Sequence, residues 1–262
     1  GFFIFLFCAE YLFPLRENKA PVNGLLIPSH EYNVWTWKRA LINIGVGFTW
    51  LIVLNLIFRE PITELVNHFA ILRGGILPRL FALLSPWVNF HWIVFALCSY
   101  LILDYVTYWW HRSNHEIKFL RKYHSTHHSD LKVDATSTFR FHWVELSIHF
   151  LLKTIVAILI GINMSDLLTF EALLVFAGLF HHSNIVLPRF VQKLLEPWLV
   201  TPIYHLNHHF VDLNKANSNY CALLTIWDKI HHTYTTPVAH NEYVNPEKQI
   251  QSGLIFGVKK TL

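Results

Sequence analysis

The sequence is poor in charge. Charged residues make up 15% of its 262 positions, against about 25% in an ordinary soluble domain, so such a domain is not the expectation. Cysteine is scarce too. Cys8, Cys98 and Cys221 are the only three, and they form no C-x-x-C. An odd, widely spaced set argues against a disulfide framework and against a thiolate zinc site. The basic residues are dispersed and the net charge is +4, which leaves no clustered nucleic-acid footprint. No low-complexity tract occurs. The chain opens at Gly1 inside an apolar run with neither Met nor a basic leader, so these residues do not test for a signal peptide.

What the sequence has instead is apolar length. Hydrophobic residues reach 53%, with ten Trp, ten Tyr and 21 Phe, a composition suited to a membrane interface where amphipathic rings settle. Phe2–Phe13 is apolar apart from Glu10 and is short for a span, but could be the end of one. Pro14–Lys38, with three prolines, Asn18, Asn23 and Gly24, reads as a loop. Ala40–Phe58 carries no charge and approaches the ~20 residues a spanning helix needs; Arg59, Glu60 and Pro61 are expected to end it. Ile62–Ser85 mixes apolar residues with Arg73, Arg79 and glycines, as a segment lying along the interface does.

Trp87–Trp110 is the next long apolar run, broken by His91 and Asp104. After a polar stretch, Leu146–Met164 and Leu167–Leu187 follow, separated by Asn163, Ser165 and Asp166. They are predicted to form a transmembrane hairpin, with Lys153 snorkelling from near an end and Glu171, His181 and His182 facing the protein interior. The whole, residues 1–262, reads as one all-α membrane-embedded domain with about four spans and a helical cap. Arg112, Lys118, Arg121, Lys122, Lys132 and Arg140 crowd one short loop, which the positive-inside rule places in the cytoplasm. Arg59, Arg73 and Arg79 would then lie outside, a mild conflict settled in favour of the denser cluster.

Histidine is the feature that organises the chain. His111 and His115 are spaced i, i+4; His124, His127 and His128 form H-x-x-H-H, and the same pattern returns at His205, His208 and His209. On helices each group projects from one face. With 18 histidines in the chain, chance predicts roughly 0.1 occurrences of H-x-x-H-H where two are found. An even number of crossings between residues 146 and 187 returns the chain to the side it left, so the two groups can meet. Imidazole is a preferred ligand of zinc, copper, iron and nickel. The two H-x-x-H-H groups, the His111/His115 pair and one of His181/His182 give nine ligands, too many for one tetrahedral zinc and suited to two ions with positions left open. Soluble di-iron bundles use Glu-x-x-His pairs, which do not occur here, so a dinuclear site would be histidine-rich. Facing a membrane, it could reach a C–H bond of a lipid tail, and activating O2 for that purpose requires a redox metal.

The motifs Asp104–His115 (DYVTYWWHRSNH), His124–His128 (HSTHH), Phe139–Glu145 (FRFHWVE), His182–Pro188 (HSNIVLP), Thr201–His209 (TPIYHLNHH) and Asn219–Asp228 (NY, then IWD) stand in this order. Together they resemble the fatty acid hydroxylase/sterol desaturase superfamily of integral-membrane di-iron oxidoreductases, over roughly residues 95–235. The resemblance implies O2-dependent hydroxylation, less readily desaturation, of a lipid or sterol C–H bond. It implies two iron ions, for which zinc can stand in a purified sample, and two electrons from a separate donor protein, cytochrome b5-like or ferredoxin-like. The ligands it implies are His111, His115, His124, His127, His128, His182, His205, His208 and His209; no catalytic group beyond the metal site is indicated. The chain departs from the family pattern twice. Cys221 follows Asn219-Tyr220 where Gly is usual, and Lys229-Ile230-His231-His232-Thr233 replaces the usual Phe-Gly-Thr after Asp228.

Around this set, Asp104 is expected either to accept the outer N–H of a ligand imidazole or to pair with an Arg or Lys at the interface, with Asn114, Asp130, His142, His181, Asn184 and Asn207 as further neighbours of the site. His231 and His232 are possible extra ligands. A pterin-dependent ether-lipid monooxygenase is an alternative within the same class. A non-catalytic membrane protein holding structural zinc is the alternative from another; transport is disfavoured because most ligands lie beyond the spans. The expected setting is the endoplasmic reticulum in a eukaryote or the inner membrane in a bacterium, with the metal site on the cytoplasmic face. Lys259-Lys260-Thr261-Leu262 match a dilysine retrieval pattern, for which a chance pair of lysines is the simpler account.

Overall fold

The computed structural model describes residues 29–73, 75–84, 91–130, 133–209 and 217–236, together with Leu6 and Glu10. The described residues are helical apart from turns, irregular stretches and isolated bridges such as Leu199 to Leu224. Helix α1 (Ser29–Val53) runs through a π-helical turn (Leu54–Phe58) into α2 (Arg59–Arg73), and α3 (Ile76–Leu84) follows. Helices α4 (His91–Glu116) and α5 (Lys118–His128) come next, then a short 3-10 helix (Ala135–Phe139). The hairpin α6 (Trp143–Ile160) and α7 (Met164–His182) precedes three short helices: α8 (Arg189–Leu195), α9 (Pro202–His208) and α10 (Ile226–Ile230).

Four stretches are long and apolar enough to cross a membrane: Trp37–Phe69, Ile93–Glu116, Trp143–Ile160 and Met164–His182. In the first, only 11% of the most apolar window is buried within the protein, and Leu41, Phe48, Leu51, Leu56 and Ile57 stand exposed. A large uncovered apolar face has lipid as its natural solvent. The inward sides meet in a core of Ile62, Val66, Leu103, Phe150, Leu167 and Phe170.

The α6–α7 hairpin is specified locally. The His142 ring accepts the Val144 N–H at 3.2 Å to start α6. Gly161 ends it in the left-handed region at φ 87°, where a side chain would be strained. The Asn163 side chain then accepts the Asp166 N–H at 2.9 Å, capping α7. At the other end, Ser183 turns out of the helix with its N–H and hydroxyl both on the Phe180 carbonyl, so α7 stops at His182 and does not continue to Leu187.

Three further expectations change. Ser29–Lys38 belongs to α1 and is not loop. The helix also does not end at Arg59–Pro61: the wide π turn just before Arg59 is a place where a helix can take up a proline that has no N–H to give. Lys153 does not snorkel; it is buried, with its ammonium 2.5 Å from a Glu171 carboxylate oxygen across the hairpin. A partner one helix away removes the need to reach the interface. The Phe2–Phe13 run, apart from Leu6 and Glu10, and the dilysine pattern lie outside the described residues.

Buried ion pairs tie α1 to the cap. The Arg39 guanidinium meets Asp130 at 2.6 Å and also Asp134. Asn43 donates to Asp130 at 2.9 Å and to Thr136 at 3.1 Å, and accepts Arg140 at 2.9 Å. Glu10, the one charge of its run, takes the N–H groups of Ala135 and Asn184, each at 2.8 Å. These contacts hold the 3-10 helix against α7, at the height where the histidines gather.

Gly75 → Ala is expected to destabilise the protein by about 2 kcal/mol, because a Cβ there would lie 2.3 Å from the Gly161 Cα and the backbone φ is +55°. Gly45 → Ala, whose Cβ meets nothing within 4 Å, is expected to leave the melting temperature unchanged. Thermal unfolding of the two variants in nanodiscs checks the contrast.

Candidate metal centre

Four helix ends supply the site. His111 and His115 sit on the last two turns of α4, and a break at Ile117 (φ −93°, ψ 115°) redirects the chain into α5, which carries His124, His127 and His128. His182 ends α7, and α9 brings His205 and His208, with His209 as its cap. The nine imidazoles sort into two groups. His111, His115, His124, His128 and His208 form one; His127, His182, His205 and His209 form the other, with the potential ligand atoms of each group within 4.8 Å of one another.

The nitrogens face each other. In the first group the Nε2 atoms of His124 and His115, of His128 and His124, and of His208 and His128 are 3.1, 3.1 and 3.2 Å apart. In the second, His182 to His127, His205 to His182 and His209 to His205 measure 3.1, 3.0 and 3.2 Å. Nitrogens each about 2.1 Å from a shared ion stand roughly 3.0–3.4 Å from one another, depending on the angle. The spacing fits.

Hydrogen bonds on the outer nitrogens fix which way the lone pairs point. His111 Nδ1 lies 2.7 Å from the Tyr220 carbonyl, His208 Nδ1 2.8 Å from that of Ser218, and His182 Nδ1 2.9 Å from that of Gly178. A carbonyl only accepts, so Nδ1 carries the proton and the Nε2 lone pair turns inward. His124 obeys the same rule through Glu145, whose Oε1 is 2.7 Å from Nδ1 and also accepts Asn114 Nδ2 at 3.2 Å. Burial pushes His127, His128, His205 and His209 well below the ordinary imidazole value, and neighbouring imidazoles add to the shift. Neutral rings are the ligand-competent form.

Asp228 organises the far wall. Fully buried, its Oδ1 accepts the Tyr220 N–H at 2.9 Å and the Thr233 hydroxyl at 2.6 Å; its Oδ2 accepts the Cys221 N–H at 2.9 Å and the Tyr204 hydroxyl at 2.8 Å. That grip sets the Tyr220 carbonyl that faces His111. The Cys221 thiol, which accepts the Asp228 N–H at 3.2 Å, is raised by burial and by Asp228 and packs beside Tyr204 and Tyr220.

Several expected neighbours serve other purposes. Asp104 accepts the Trp227 indole N–H at 2.7 Å and the Leu224 N–H at 3.3 Å; neither bond involves an imidazole, so it fastens α10 to α4. His142 caps α6, and Asn207 donates to Thr235 at 2.7 Å. Asp130 takes Arg39, Asn43 and the Ser137 hydroxyl while its charge also acts on His182, so it remains a neighbour of the second group, and the Asn184 backbone N–H goes to Glu10. His181 lies against the second group, its ring centroid 4.2 Å from that of His205, without joining it. His231 stacks on Tyr105 and Tyr108 at 5.7 and 5.1 Å, and His232 is exposed; neither belongs to a group. Glu145 and Asp228 are the residues sequence reasoning passed over. Both stood inside quoted motifs as carboxylates next to apolar residues, the signal that could have found them.

A cavity of about 460 Å³ borders His111, His124, His127, His182 and His205 and continues between α1, α6 and α7 past Trp50, Phe150 and Val175.

A family described as Fatty acid hydroxylase matches residues 95–233. Ornithine lipid hydroxylase OlsE of Rhizobium tropici is 31% identical over 137 residues, 52% of this chain and 40% of that protein. Human alkylglycerol monooxygenase is 29% identical over 163 residues, 61% of this chain and 33% of its own. Very-long-chain aldehyde decarbonylase GL1-4 of Oryza sativa subsp. indica is 24% identical over 149 residues, 54% and 23% respectively. The chain thus spans well under half the length of these relatives. No solved structure matches it.

Glu145 → Ala removes the acceptor that orients His124 and is expected to weaken metal binding about 10- to 100-fold. Competition against a chelator measures this; unchanged affinity would show that Glu145 does not set the His124 tautomer.

Proposed function

Since the chain belongs to the fatty acid hydroxylase family, we propose that it uses O2 to oxidise a C–H bond of a lipid at a pair of iron ions held by its histidines. The observation that carries this reading is the division of nine imidazoles into groups of five and four. Five nitrogen donors exceed the four of a closed structural zinc site. Nine would suit two ions with room left for O2 or water rather than one closed site. His111, His115, His124, His128 and His208 would hold one ion, and His127, His182, His205 and His209 the other. Iron bound there would supply the redox chemistry that turns O2 and two electrons into a C–H oxidation.

The protein's own groups do the positioning. Carbonyls of Tyr220, Ser218 and Gly178 and the Glu145 carboxylate hold the outer protons, so the inner nitrogens stay unprotonated. The cavity, lined largely by apolar side chains, would admit an apolar chain as far as His111, His124, His127, His182 and His205. Hydroxylation is favoured over desaturation, because it needs only one C–H attack. The electrons would come from a separate donor protein, cytochrome b5-like or ferredoxin-like, meeting the site on the cytoplasmic face. An ether lipid oxidised with a reduced pterin is the second reading, favoured by the likeness to alkylglycerol monooxygenase.

The test is oxidation of lipids by the iron-loaded protein in nanodiscs, with a chemical reductant and isotopically labelled O2. Label in the lipid product is expected, and His127 → Ala is expected to lower turnover at least about 100-fold. Product lacking label, or oxidation surviving in His127 → Ala, would contradict the reading.

A further inference from the structure

The deep end of the cavity holds charge where the membrane-spanning helices should hold none. Lys153 and Glu171 both line it, their ion pair bridging α6 and α7 at 2.5 Å, and His149 lines it one turn before Lys153. The His149 ring stacks on Trp110 at 5.4 Å, and its Nε2 is buried with no hydrogen-bond partner among the described residues. Ionisable groups inside a span are costly and mark function more often than not. A pair that only joined two helices could sit between them and need not open onto a cavity. Around it the lining is apolar: Leu51, Leu54, Phe150, Leu168 and Val175.

The position of the pair along the helices is set by sequence. Lys153 lies eight residues beyond Glu145 on α6, and Glu171 eleven residues before His182 on α7, so at 1.5 Å per residue the pair stands roughly 12 Å along α6 from the carboxylate on His124 and roughly 16–17 Å along α7 from His182. The ammonium has three N–H donors and faces Glu171 Oε1 as an ion pair, and the carboxylate has a second oxygen. Lys153 and Glu171 therefore offer donors and acceptors side by side, with net charge zero. A carboxylate or phosphate entering there would compete with Glu171 for Lys153 and leave one acid unpaired, a large penalty in this setting. A neutral group that both donates and accepts fits without breaking the pair.

We propose that Lys153, Glu171 and His149 form a recognition site for a neutral hydrogen-bonding group, a hydroxyl or an amide, carried by the lipid whose distant C–H bond is oxidised. This rests on the lipid-oxidation reading above and narrows its substrate to a lipid bearing such a group, excluding a bare alkyl chain or an anionic head at this end. The residues are specificity determinants and touch no reacting atom.

Binding tests it without turnover. The full chain in nanodiscs is labelled with a photoreactive long-chain primary alcohol, in competition with the unlabelled alcohol, the alkane of equal length and the matching fatty acid. Wild type is expected to bind the alcohol about tenfold tighter than the alkane, the scale of one hydrogen bond to a charged group, and tighter than the fatty acid. In a Lys153 → Met/Glu171 → Leu double variant, a swap that buried ion pairs often tolerate, the preference for alcohol over alkane is expected to vanish with metal content unchanged. Equal competition by alkane and alcohol in wild type, a fatty acid that outcompetes the alcohol, or a preference that survives in the double variant would overturn the proposal. Should the double variant not fold, the wild-type comparison decides by itself. Loss of the oxidation reading would show separately, as a preserved alcohol preference with no oxidised product.

Discussion

Lone pairs that point at one another repel, and the architecture described here is arranged around making nine of them converge. A buried imidazole left alone turns its ring until each nitrogen meets a suitable partner. In this protein the outer nitrogens of His111, His124, His182 and His208 are already held by three carbonyls and a carboxylate. The inner nitrogens then lie 3.0–3.2 Å apart, and those four rings turn their Nε2 lone pairs into the groups. A cation at the centre of each group is the natural resolution. The Arg39 network, the α6 cap and the Asp228 hub secure the segments that carry those outer acceptors.

The histidine spacing was readable because it is local. Residues four apart on a helix share a face whatever the rest of the fold does, so the pairs and triplets of α4, α5 and α9 followed from the sequence. Their meeting followed from the hairpin, which obliges the chain to return after two crossings. The division into five and four did not follow. It depends on how α5 rotates relative to α7 and α9: His127 turns to His182 while His124 and His128, on the same helix, turn to His115 and His208.

Carboxylates were the least legible. Asp104 lies two helical turns from His111, a spacing that promises contact, yet Trp227, more than a hundred residues later, takes it. Glu145, from the start of the next span, reaches His124 instead. The family-pattern departures found their explanation in packing. Cys221 fills a tyrosine-lined pocket beneath Asp228, and His231 adds a ring to the stack on Tyr105 and Tyr108. Sequence places such groups in the right neighbourhood; only the tertiary fold selects the partner.

Burial in a membrane sharpens these choices, because no water inside the apolar slab can satisfy a group the protein neglects. The same economy makes the metal count decisive. Anaerobic purification of the intact chain with iron supplied, followed by metal analysis and Mössbauer spectroscopy, measures whether each histidine group takes an ion. About two irons per chain in a magnetically coupled pair are expected, one for each histidine group. A single ion per chain, or zinc that iron cannot replace, would contradict it.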